Sequence, residues 1–309
     1  MTQSSPCTEE DLLFQQRGQV QHVILNRPKA LNALNLSMVR DLTAKLKECL
    51  QDPRVSVITL RGAGGKAFCA GGDLKSLTYS VKEGNNYGQH FFFEEFALNY
   101  LIGTYPKPLI SVMNGITFGG AAGLTVVGQF SVATEKSVFC MPECAIGLFP
   151  DVGSGYFLSR LPGNLGMFLG LTGHRLRGHE IVSAGLASHY IEYSKVGYKM
   201  FAQAYVLDAF YVESTIPERC TLEQHREQIA RCFGGDSVEE IVRNLEHDHS
   251  AWAHTQLCAI RKMSPTSLKI TFRLLKEGIN KSLAETLKTE YRLTQRCVAD
   301  KDFHEGIRA

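Results

Sequence analysis

Apolar and polar positions alternate along residues 12–27. LLFQQR, a Gly18 turn and QVQHVILNR read as a β-hairpin. The period then changes. In SMVRDLTAKLKECL (37–50) apolar residues recur every three or four positions, which predicts a helix with Ser37 as its N-cap. VSVITLRG (55–62), KPLISVMNG (107–115) and FSVATEKSVFCMPE (130–143) read as strands, the first as a buried run. Residues 88–102 are helical in pattern. GAGGKAFCAGGDL (62–74) carries too many glycines for either regular element and reads as a loop that lets a ligand approach the backbone. FGGAAGLTVVGQ (118–129) reads as a Gly-rich turn running into a small-residue helix. This alternation predicts a layered α/β core.

Beyond about residue 156 the helical period dominates, over 157–172, 178–184, 196–211, 221–232, 237–247, 251–262, 264–277 and 282–299. Only HYIEY (189–193) reads as a strand there. The division that follows is a core over residues 10–195 and a helical C-terminal region over 196–309.

Composition narrows the class. The chain has 309 residues, 44% of them hydrophobic and 21% charged, which suits a globular enzyme with a sizeable core. A net charge of +2 without a long basic run argues against nucleic acid as a partner. Nine cysteines are scattered singly, with no CxxC pair, a pattern of a reducing compartment. No apolar run reaches the length of a membrane span. The start, MTQSSPCTEEDLL, is acidic, lacks arginine before Arg17, and reads as neither signal nor transit peptide.

Three stretches carry chemistry. CAGGD (69–73) and NGITFGGAAG (114–123) are Gly-rich loops after strands. Facing one another, they would offer backbone N–H groups near Gly72 and Gly120 to a single carbonyl oxygen. From glycine content alone, tight turns and close packing are the favoured reading. Neither loop fits a nucleotide-binding signature. The third stretch, PECAIGLFPDVGSGY (142–156), places Glu143 and Asp151 each directly after a proline in apolar, Gly-rich chain. A buried carboxylate needs a partner or a task. The structural alternatives are a helix cap, for Asp151 in particular, or an ion pair with Arg160. Ser154 lacks the flanking G-x-S-x-G of a hydrolase elbow and reads as a small turn residue. Cys140 and Cys144 have no basic neighbour in sequence and read as core. His247, His249 and His254 lie in polar helical sequence that reads as a solvated face, so no metal is expected.

KAFCAGGDL, NGITFGGAAGL and PECAIGLFPDVGSGYFLSRLPG together resemble the enoyl-CoA hydratase/isomerase (crotonase) superfamily. ILNRPKALNALN, FFFEEFALNYLIG, KMSPTSLKIT and DFHEGIRA resemble its 3-hydroxyisobutyryl-CoA hydrolase branch, thioesterases of valine breakdown. The resemblance runs from about residue 10 to the end and is weakest around 194–220. It implies a crotonase-like spiral of ββα repeats with a helical C-terminal region. It also implies an acyl-CoA substrate, no separate cofactor, a trimer or a dimer of trimers, and the mitochondrial matrix. By position it implies an oxyanion hole from the Gly72 and Gly120 amides, and Glu143 and Asp151 as catalytic residues. Glu95, Gly120, Glu143 and Asp151 would line the acyl site; Lys29, Ala70, Gly71 and Leu74 would lie along coenzyme A. Glu95 otherwise reads as part of a solvated helix face, with Glu94 turned elsewhere, and Lys29 as a solubilising charge. One of the two glutamates of the superfamily's hydratases matches Glu143, while the other falls at Gly123. That favours hydrolysis over hydration or isomerisation, or over CoA-ester binding without turnover. The branch normally continues past E-G-x-R-A, so the chain is expected to be shortened at Ala309.

Overall fold

The computed structural model describes residues 10–199 and 221–308. Strands β1 (Leu12–Arg17), β2 (Val20–Leu25), β3 (Val57–Gly62), β5 (Leu109–Val112), β7 (Phe130–Ala133) and β10 (His189–Tyr190) form one six-stranded sheet, in that order. The β1–β2 hairpin is antiparallel, with Leu12 opposite Leu25, and the remaining pairs are parallel. Strands β4 (Ala67–Cys69), β6 (Ile116–Phe118), β8 (Val138–Cys140) and β9 (Leu176–Arg177) form a second sheet. The chain passes from β3 to β4, β5 to β6 and β7 to β8, crossing between sheets each time. These repeated crossings build the spiral.

Helix α1 (Leu36–Gln51) directs Val39, Leu42, Leu46 and Cys49 into the core at helical spacing. Its N-cap is Asn35 rather than Ser37: the Asn35 side chain accepts from the Met38 amide at 2.8 Å. Helix α2 (Leu74–Lys82) starts directly after the first Gly-rich loop, where no helix is expected from pattern. Helix α3 (Tyr87–Gly103) crosses α1 and buries Phe91, Phe92, Glu95, Phe96, Leu98, Asn99 and Ile102. The predicted loop 62–74 contains β4, because the short AFC run finds a partner strand in β6. The small-residue helix expected over 118–129 is only a 3₁₀ segment, Gly119–Leu124, glycine being a poor helix former. Residues 130–143 divide between β7 and β8, one in each sheet.

The helical prediction beyond residue 156 agrees with helices Leu165–Thr172, Val238–Asp248, Ala251–Ile260, Pro265–Gly278 and Leu283–Cys297. It misses β9, a two-residue strand too short to show a period, and a last helix, Lys301–Arg308. The predicted helix 196–211 lies outside the described residues beyond Lys199; Tyr193–Lys199 is helical. One apolar core runs from Leu12 to Leu287, so the C-terminal helices share it with the spiral. A second apolar cluster, with Val57, Ile110, Val112 and Val132, covers the opposite face of the large sheet.

Candidate functional site

Two Gly-rich loops meet beside the end of the small sheet. The segment 31–34 runs alongside 70–73: Ala70 donates to Leu31 O (3.0 Å), Leu34 to Gly71 O (2.8 Å) and Asp73 to Leu34 O (2.8 Å). Arg27 ties this pairing down by an ion pair to Asp73 at 3.0 Å. The second loop starts at Gly119, directly after β6. A β-carbon placed on Gly120 would lie 3.3 Å from the Gly72 nitrogen, so the two backbones nearly touch. Among the described residues, neither the Gly72 nor the Gly120 amide donates a backbone hydrogen bond.

These loops open onto a cavity of about 80 Å³. Ala70, Gly71, Gly72, Leu74, Gly119 and Gly120 form part of its wall, and Glu95, Glu143 and Asp151 also line it. Larger grooves lie along the Pro265–Gly278 helix and beside Phe93 and Tyr291, but neither contains a buried carboxylate. Lys29 is exposed on the turn Pro28–Ala30 and lies off the cavity wall.

Each carboxylate comes from a different element. Glu95 lies on the buried stripe of α3, one residue after Glu94, which turns out to pair with Arg40 at 2.7 Å. Glu143 opens the 3₁₀ turn Glu143–Ile146 behind Pro142. The helix Lys301–Arg308 packs on that turn, with Gly306 against Ile146. Asp151 follows Pro150, before the short helix α4 (Ser154–Phe157). The alternative partners do not take these groups. The N-cap of α4 is Gly153, without a side-chain cap, and the Arg160 guanidinium is spent on the carbonyls of Tyr156, Gly278, Ile279 and Lys281.

None of the three carboxylates takes part in an ion pair among those the described residues form. Glu95 Oε1 and Glu143 Oε2 are buried without a hydrogen-bond partner among the described residues. Burial pushes the Glu143 carboxyl well above its ordinary range, and repulsion from Asp151 and Glu95 adds to this. Burial likewise raises Glu95, with Asp151 adding. Asp151 is pushed up to about 7, again by burial. The three groups therefore titrate as a set, and the set retains protons near neutral pH. An ionised base can then stand beside a neutral acid.

This arrangement is costly to the fold. Between pH 4 and 7 the unfolded Asp151 has lost its proton while the folded one still holds it. Stability therefore falls as pH rises through that window. Asp151→Asn is expected to melt with the parent near pH 4 and a few degrees above it at pH 8. The gain corresponds to roughly 2–4 kcal/mol. Thermal melts at both pH values check this; an equal difference at pH 4 and pH 8 would contradict it.

The Cys140 and Cys144 thiols are buried, pushed up to about 12, and donate to the carbonyls of Gly173 and Gly170. No group of three His, Cys, Asp or Glu side chains that could hold a metal occurs among the described residues. No described helix is long and apolar enough to cross a membrane.

The enoyl-CoA hydratase/isomerase family profile matches residues 20–309. The chain belongs to that family. It is 48% identical to human 3-hydroxyisobutyryl-CoA hydrolase, mitochondrial, over 97% of this chain and 81% of that protein. The Xenopus laevis protein of the same name is 49% identical over 93% of this chain and 78% of its own length. Among solved structures, a carnitinyl-CoA dehydratase from Mycobacterium thermoresistibile superposes with a TM-score of 0.92 at 35% identity, covering 97% of this chain and 89% of that one. An enoyl-CoA hydratase from Rhodobacter sphaeroides 2.4.1 gives 0.87 at 35% identity with the same coverage. The family and its structural neighbours bear out the crotonase-like spiral that the resemblance implied.

Within this family frame, three residues escape sequence reasoning. A β-carbon on Gly119, where φ is +53°, would lie 2.4 Å from Glu143 Oε1. Asn99 is fully buried against Gly123, with both polar atoms of its side chain unpartnered. A β-carbon on Gly123 would meet its Nδ2 at 2.4 Å, so Asn99 occupies the room a side chain at 123 would need. Glu290, on the helix Leu283–Cys297, is fully buried and accepts from the Gly153 and Gly155 amides at 2.7 and 2.9 Å. A signal for it exists. Thr286, Leu287, Glu290, Thr294 and Cys297 share one helical stripe, on which a charge is out of place.

Proposed function

We propose that this chain hydrolyses the thioester of 3-hydroxyisobutyryl-CoA, releasing 3-hydroxyisobutyrate and free coenzyme A. The observation that carries the reading is the convergence of Glu143, Asp151 and Glu95 with the Gly72 and Gly120 amides on one cavity. The thioester carbonyl oxygen sits between the two amides, which are free to stabilise the charge of a tetrahedral intermediate. Glu143 supplies the oxygen nucleophile, either its own carboxylate or a water that it deprotonates. The carbon–sulfur bond breaks and the CoA thiolate takes a proton. Asp151, proton-bearing near neutral pH, gives that proton or holds the acyl 3-hydroxyl. Glu95 completes the acyl wall. By direct attack a mixed anhydride forms as the thiolate leaves, and a water then cleaves it; ¹⁸O found in Glu143 after single turnover in ¹⁸O-water establishes this route, since direct attack by water puts none there.

The names of the relatives support the hydrolase reading at 48–49% identity, above the 35% of the dehydratase and hydratase structures. Gly123, packed against Asn99, leaves no second glutamate in the hydratase position. Coenzyme A enters as part of the substrate along Ala70–Leu74, with Lys29 at the outer end for a phosphate. We extend to this chain the mitochondrial address in the relatives' names, taken as the matrix, and a homo-oligomer, trimer or hexamer, from the family resemblance.

The test is thiol release across a panel of acyl-CoAs. 3-Hydroxyisobutyryl-CoA is expected to release free thiol faster than crotonyl-CoA or acetyl-CoA. Hydration of crotonyl-CoA without thiol release would make the chain a hydratase, and binding without either would make it a carrier.

A further inference from the structure

We propose that Glu290 is the positioning residue for Asp151. Reaching in from the helix Leu283–Cys297, its carboxylate clamps the turn 151–155 in the conformation that aims Asp151 into the cavity. The inference rests on the hydrolase reading, in which Asp151 works on the acyl group or the leaving thiol.

The turn needs a clamp. Val152 has φ +52° and Gly153 φ +92°. The left-handed region suits glycine but is rare for a β-branched residue. A chain relaxing Val152 back to negative φ would rotate the Asp151–Val152 peptide and swing Asp151 away from Glu143. Two bonds to Glu290 oppose this directly. Oε2 accepts from Gly153 and Oε1 from Gly155, so one rigid carboxylate fixes two amides on the far side of Val152. Both oxygens of the carboxyl act as acceptors here, an arrangement no amide side chain reproduces. The Ser154 hydroxyl closes the turn on its other side by donating to Pro150 O.

The clamp is itself held. Leu283 and Leu287 approach Gly153, and Leu274 approaches Gly155, from the two C-terminal helices. The helix bearing Glu290 also packs on α3, which carries Glu95. This one helix thus touches the elements that carry two of the three cavity carboxylates. A plain packing role would not call for a fully buried carboxyl group, since Gln fills the same volume. Burial raises Glu290 to about 8, and the neighbouring Asp151 charge adds to the rise. The site keeps a carboxylate there despite that cost, as it would if two amide donors had to be held at once.

A double-mutant cycle on the full chain tests this, with 3-hydroxyisobutyryl-CoA as substrate and thiol release as readout. Glu290→Gln presents one acceptor and one NH₂ group, so it can hold only one of the two amides. It is expected to lower kcat about 30-fold with KM within about threefold of the parent. In the Asp151→Asn background the same change is expected to cost less than about twofold, because the group it positions is gone. An unchanged kcat in Glu290→Gln, or the same loss in both backgrounds, overturns the proposal. If Glu290→Gln does not melt cooperatively, Glu290→Asp takes its place in the cycle. Loss of cooperative melting in both makes Glu290 a residue of the fold as a whole and also overturns it. Two other results are distinct: a parent protein that releases no thiol removes the hydrolase reading, and an Asp151→Asn variant with full turnover removes Asp151 from the mechanism; this inference falls with either.

Discussion

Replacing Glu143 with glutamine is expected to lower thiol release about 10³-fold while leaving CoA-ester affinity within about threefold of the parent. The loss corresponds to about 4 kcal/mol of transition-state stabilisation. Glutamine keeps the shape of the side chain in its turn behind Pro142 but can neither attack a carbonyl nor take a proton from water. The binding surface is unaltered, because the amides of Gly72 and Gly120 belong to the backbone. The variant should also melt higher at neutral pH. The parent buries Glu143 at 6% exposure beside Asp151 and Glu95, and the amide removes that repulsion. Higher stability with lost turnover is the mark of a group kept for chemistry rather than for folding. Kinetics, calorimetric binding of the CoA ester and a melting curve on one preparation check all three effects. Undiminished turnover would remove Glu143 from the mechanism.

Gly119→Ala is expected to reduce kcat about 100-fold and to destabilise the fold by about 1–3 kcal/mol. Two causes act together. The backbone there has φ +53°, where any β-carbon is strained. The new methyl would also lie 2.4 Å from Glu143 Oε1, and Glu143 sits in a closed turn with little room to retreat. The carboxylate must swing out, or the Gly119–Gly120 backbone must shift, so either the nucleophile or the oxyanion amide loses its alignment. Gly18→Ala is the matched control. Its φ of +57° imposes similar strain, but nothing lies within 4 Å of the added carbon. It should share part of the stability loss and retain turnover. Equal turnover in Gly119→Ala and the parent would show that the contact with Glu143 has no bearing on the reaction.

The two substitutions mark the division between what the chain announces and what its folding supplies. The hairpin and α1 are legible because their periods are long enough to show which face is buried, and β3 and β5 because short continuous apolar runs mark strands buried on both faces. The carboxylates at 143 and 151 stand out because charge is scarce in that apolar, proline-marked stretch. The contact of Gly119 with Glu143 cannot be read this way, since 24 positions and a change of strand separate the two. β4 and β9 are strands only because partner strands exist for them, and α2 begins where glycine obscures any pattern.

By itself, then, the sequence determined the alternation of strands and helices, the two Gly-rich turns and the unusual carboxylate pair. Those are local properties: side-chain periodicity, backbone permissiveness and the cost of burying charge. Only the tertiary structure decided that Glu94 pairs with Arg40, that Asn99 fills the space over Gly123, and that Glu290 reaches the turn behind Asp151. A side chain's direction and partners are set by elements packed against it from distant parts of the chain. Helical period can flag a glutamate on a buried stripe, but not the pair of amides 135 and 137 residues away that accounts for it.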